Sequence, residues 1–147
     1  MTYQEVYKKI HLLFIESKKE ILNDPKVQSK VQINIKSFTK KMSEDSINEN
    51  FSKPILAGKM PTVGFKRMKE ESTNTSTCIL LYDGYTQYER ECFVPITEAF
   101  IKIIKADDEI MDSKLIKRLS VGDGDEGCLY IDWKQNYDIR KLVKLKK

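Results

Sequence analysis

The apolar residues of this chain come in packets of at most about five, and their spacing changes part way along. Up to residue 42 they recur at helical intervals. From residue 62 onward they come mostly as short runs between turn signals. No packet approaches the roughly 20 residues that cross a bilayer as a helix. Helices first and a sheet afterwards is the pattern of an α+β domain.

The first packet is a helix with its start written in. Thr2 and Glu5 have capping-box spacing, so that a hydroxyl and a carboxylate each satisfy one free backbone N–H. Tyr3, Tyr7, Ile10, Phe14 and Ile21 form one stripe, widened by Val6, Leu13 and Leu22, and Asn23-Asp24-Pro25 ends it. Residues 26–42 read two ways. Val31, Ile33 and Ile35 alternate as a strand would, whereas Val27, Val31, Ile35, Phe38 and Met42 fall at helical spacing. Asp24 followed by Pro25 makes a good N-cap and first turn, which favours a helical hairpin. Residues 43–61 are polar, broken by Pro54, Gly58 and Pro61, and read as a connecting loop with a short helical turn near 46–51.

The second half predicts strands over 62–70 (Val63, Phe65 and Met68 inward), 76–82, 88–94 and 128–133. Asp83-Gly84 supplies a tight turn after the second. Helices are expected from Pro95, on Ile96, Phe100, Ile103 and Ile104, and over 112–119, on Leu115, Ile116 and Leu119. The expected fold is α+β: an N-terminal helix or helical hairpin packed on an antiparallel sheet of about four strands. One or two further helices are placed between the third and last strands. The 147 residues form a single domain ending in a basic tail or helix over 135–147.

Charge narrows the functional classes. The net charge is +4 at a pI near 8.8, and only four of the 26 basic residues are arginine. Lysine contacts phosphate without reading bases, which argues against sequence-specific recognition of nucleic acid. Cys78, Cys92 and Cys128 have no paired spacing and read as reduced, buried thiols in a cytoplasmic protein. The N-terminal residues lack the apolar core of a secretion signal.

Candidate chemistry is sparse. Asp123, Asp125 and Glu126 sit in a glycine-rich loop, but an EF-hand would require an acid where Lys134 stands. Asp132 and Lys134 have the acidic-x-Lys form of metal-dependent nucleases, with Asp123, Asp83 or Glu91 as a second metal ligand. His11 is the only histidine and reads as a boundary residue of the first helix. No P-loop, dinucleotide fingerprint or nucleophile elbow occurs.

Basic and aromatic residues interleave at Lys66 and Arg67, near Tyr82, Tyr85 and Tyr88, and again at Trp133, Arg140, Lys141 and Lys144. These observations favour a small non-enzymatic interaction protein of the inhibitor, immunity or regulator type. It would engage a partner protein or ribonucleoprotein through Lys66, Arg67, Trp133, Arg140, Lys141 and Lys144, with no cofactor, no metal and no membrane partner. The Lys-, Ile- and Asn-rich composition suits a low-GC bacterium or its phage. Two other readings are non-sequence-specific binding of single-stranded nucleic acid and a metal-dependent nuclease built on Asp132 and Lys134.

Overall fold

The computed structural model describes residues 1–40, 52–69, 72–82, 87–122 and 127–135. Helices α1 (Tyr3–Asn23) and α2 (Pro25–Lys40) form the expected hairpin, with Asp24 alone between them. The capping box is present in both directions: Glu5 N–H donates to Thr2 Oγ1 at 3.2 Å, and Thr2 N–H to Glu5 Oε1 at 3.1 Å. Those bonds hold the Glu5 carboxyl below its usual range. At α2 the helical stripe prevails. Val27, Val31 and Ile35 are buried, and Ile33 is left 63% exposed. A strand would have put Ile33 on the same side as Val31 and Ile35.

Short helix α3 (Ser52–Leu56) leads toward the sheet, which has four antiparallel strands: β1 (Lys66–Arg67), β2 (Ser76–Leu80), β3 (Ile116–Val121) and β4 (Leu129–Trp133). Their order is β1-β2-β4-β3. The last strand is inserted between the second and the third, so no plain meander forms. Helices α4 (Gln87–Cys92), α5 (Val94–Lys105) and α6 (Asp108–Asp112) connect β2 to β3.

Two segments exchange their expected roles. Residues 88–94 do not form a strand; residues 87–92 are helical, and Phe93 is buried where α4 meets α5. Residues 116–121 form a strand instead of the end of a helix. Their inward residues, Ile116 and Leu119, are three apart, the spacing of a helix face. A register shift between Ile116 and Arg118 brings both to one side of the sheet. The acidic run at 107–109 does follow α5, and it also opens α6, where Asp107 accepts from Ile110 N–H at 3.0 Å.

The core lies between the sheet and the helices. Phe14 meets Phe100 edge-on at 5.1 Å, and Phe65 packs against Tyr7, His11 and Phe14. The His11 ring lies flat on Phe65 at 4.4 Å, half-buried at the boundary. Lys9 bridges α1 to the start of α6 by pairing with Glu109 and, at 3.5 Å, with Asp107; the carboxylates raise its pKa. No described helix is long and apolar enough to cross a membrane.

Candidate functional site

Helix α2 presents the clearest charged face. Its sixteen residues include Lys26, Lys30, Lys36 and Lys40 and no carboxylate. The exposed set is completed by Ser29, Ile33 and Ser37 beyond Pro25. At 3.6 residues per turn these lysines, serines and Ile33 fall within an arc of about 120°, along a helix about 24 Å long. No carboxylate among the described residues pairs with any of the four lysines.

The helix is anchored on its other side. Gln28 donates to the Leu22 carbonyl at 2.9 Å, Gln32 to that of Ile55, and Asn34 to that of Cys92 at 3.1 Å. Three amide side chains thus tie α2 to α1, α3 and α4 and hold the lysines outward. At the elbow, Asp24 Oδ1 accepts from Lys26 N–H at 2.9 Å. A hollow of about 280 Å³ borders this end of the face, lined by Glu20, Asp24, Lys26, Lys30, Glu98 and Lys102 among others. Its charges are mixed.

Of the residues expected to form a basic, aromatic surface, the structure describes Lys66, Arg67 and Trp133, and these three do not share a surface. Lys66 is exposed on β1. Arg67 is only 6% exposed and belongs to the interior. Strand alternation explains this, because residue 67 follows Phe65 by two and shares its face. Trp133 is 2% exposed. It donates from Nε1 to Thr77 Oγ1 at 2.8 Å and meets Tyr3 edge-on at 5.4 Å. It is a core residue, as is Tyr82, so neither offers a ring for stacking on a base. Arg140, Lys141 and Lys144, with the rest of the basic tail, lie outside the described residues, as do Tyr85 and the short turn expected at 46–51.

Asp132 lies on the sheet face opposite the helices. Its Oδ2 accepts from Arg118 Nε at 3.0 Å and lies 2.9 Å from Nη2. That pairing ties one of its two carboxylate oxygens to a neighbouring guanidinium. Lys134 is exposed just after β4, its N–H bound to the Leu115 carbonyl at 2.8 Å. Asp83, Asp123, Asp125 and Glu126 lie outside the described residues. Among the described residues, no three His, Cys, Asp or Glu side chains converge as metal ligands.

All three cysteines are buried and free of disulfides, as expected of small apolar fillers. Burial, reinforced by Glu91 and Glu89, pushes the Cys92 thiol up to about 11. The thiol, not the reactive thiolate, is its form at neutral pH.

One buried polar cluster locks the fold. Tyr82 Oη lies 3.1 Å from the Phe93 carbonyl oxygen, 3.0 Å from that of Gly127, and within bonding reach of Thr97 Oγ1. Thr97 in turn donates to the Gly127 carbonyl at 2.7 Å. Burial raises the Tyr82 pKa well above the usual phenol range. Gly127 has φ +60°, and a Cβ there would come within 2.9 Å of the Arg90 carbonyl oxygen. The cluster joins the end of β2, the start of α5 and the entry to β4. Its role is structural.

These features define an α+β domain with a helical hairpin on one side of a four-stranded sheet and a lysine face on the second helix. No protein-family model matches the chain, and neither a curated protein nor a solved structure matches it.

Proposed function

We propose that the protein works by contact, engaging the acidic surface of a partner protein through the outer face of α2. One observation carries this reading: four exposed lysines and no carboxylate on an anchored helix. Like charges held along one side repel one another and attract an acidic surface, which speeds encounter and fixes orientation. Ile33, 63% exposed among the lysines, adds an apolar centre to a charged rim, the anatomy of a protein–protein contact. Phosphate binding would use the lysines but gain little from that isoleucine. The basic residues of the tail, Arg140, Lys141 and Lys144, would add to the same long-range attraction, whereas Lys66 projects from the opposite face of the sheet.

The test is photo-crosslinking from position 33 in the cells that make the protein. A discrete protein adduct is expected with the lysines intact. It should disappear when Lys26, Lys30, Lys36 and Lys40 are all changed to Glu, with the circular dichroism spectrum unchanged. An adduct that survives the reversal, or no adduct, refutes the reading. An adduct with nucleic acid would replace the partner class.

A further inference from the structure

Arg67 presents a physical problem that the lysine face does not answer. Its Nε, Nη1 and Nη2 are all buried, and none has a hydrogen-bond partner among the described residues. It pairs through the backbone with Ile79, itself opposite Leu129, and shares the face of Phe65, which packs on α1. A guanidinium cannot shed its proton, so it carries its charge into that apolar layer. An unpaired ion there is strongly unfavourable, whereas the same ion against an oxyanion gains a bidentate, charge-assisted contact. Water would supply hydrogen bonds but no opposite charge.

We infer that Arg67 is the receptor for an oxyanion, a phosphate or carboxylate group, admitted at the β1 edge of the sheet. β1 is two residues long and outermost in the sheet order. It is joined to β2 by its short ladder and by flanking bonds from Gly64 N–H to the Leu81 carbonyl and Met68 N–H to the Cys78 carbonyl. So short an edge strand is the part of the sheet that opens at least cost. The planar fork of the guanidinium meets two oxygens of the incoming group.

The experiment is thermal unfolding of the full chain at constant pH and ionic strength. Chloride is replaced stepwise by inorganic phosphate in one arm and by glutarate in the other. The wild type, Arg67→Met, Arg67→Lys and the four-lysine Glu variant of α2 are compared. The wild-type Tm should rise saturably by several degrees with at least one anion, and the rise should persist in the α2 variant, because the two sites are separate. The arm that responds identifies the group. Arg67→Met should melt higher than wild type in chloride and show no saturable rise, and Arg67→Lys should show a smaller one. A flat wild-type response to both anions overturns the inference. So does a saturable rise that survives Arg67→Met or vanishes in the α2 variant, or an Arg67→Met protein that melts lower than wild type in chloride.

Discussion

Two buried polar side chains flank strand β2, and the fold treats them in opposite ways. Tyr82, just past its end, carries a hydroxyl into the core together with its partners: the Thr97 hydroxyl and the carbonyls of Phe93 and Gly127. Arg67, across the ladder from Ile79, brings a full charge and meets no acceptor among the described residues. Both side chains are buried. The contrast teaches that burial by itself does not destabilise a polar group; burial without a partner does.

The contrast can be broken most severely at Gly127. Alanine there needs a left-handed backbone and a contact too close to the Arg90 carbonyl, so Gly127→Ala should lose about 3 kcal/mol or more in urea unfolding. Arg67→Met should move stability the other way, by about 1–4 kcal/mol, because a methionine of similar volume replaces an unpaired buried ion. Tyr82→Phe leaves Thr97 bonded to Gly127 but removes the phenol from the cluster, and should cost about 1–2 kcal/mol.

A smaller effect appears only at high pH. The folded-state pKa of Cys92 is raised to about 11 from 9.0. Its contribution is therefore complete below pH 9 and lost as pH rises from about 9 through 11, where the unfolded thiol ionises first. Stability measured across that window should fall less steeply in Cys92→Ala than in the wild type. The smallest effect belongs to Arg118→Ala. That arginine is mostly exposed, so losing its pair with Asp132 should change stability by about 0–1 kcal/mol, and less in high salt.

Where local rules acted alone, the sequence could be read directly. Thr2 and Glu5 mark the first helix because a capping box involves only neighbours, and the stripe from Val27 to Phe38 outweighs the alternation at 31, 33 and 35. Misreadings arose where long-range structure reset the local pattern. The bulge between Ile116 and Arg118 makes a strand imitate helical spacing. The run around Phe93 is apolar on all sides because it fills a junction between two helices. At Arg67 the period-2 signal was present, since Val63, Phe65 and Arg67 alternate, but a cation beside Lys66 reads as surface until the partner strand is known. The lysine face of α2 was also visible once that segment is taken as a helix. Sixteen residues without a carboxylate stand out in a chain with 22 of them.

The placement of β4 between β2 and β3 constrains how the protein is made. Trp133 anchors to Thr77, 56 positions away in the chain. As the polypeptide leaves the ribosome, the helical hairpin can close on itself early, whereas the middle of the sheet must wait for the final strand to emerge. Until then β2, apolar on both sides, has no neighbour on its β4 flank, and this is the stage at which a nascent copy is most prone to pair with the wrong strand.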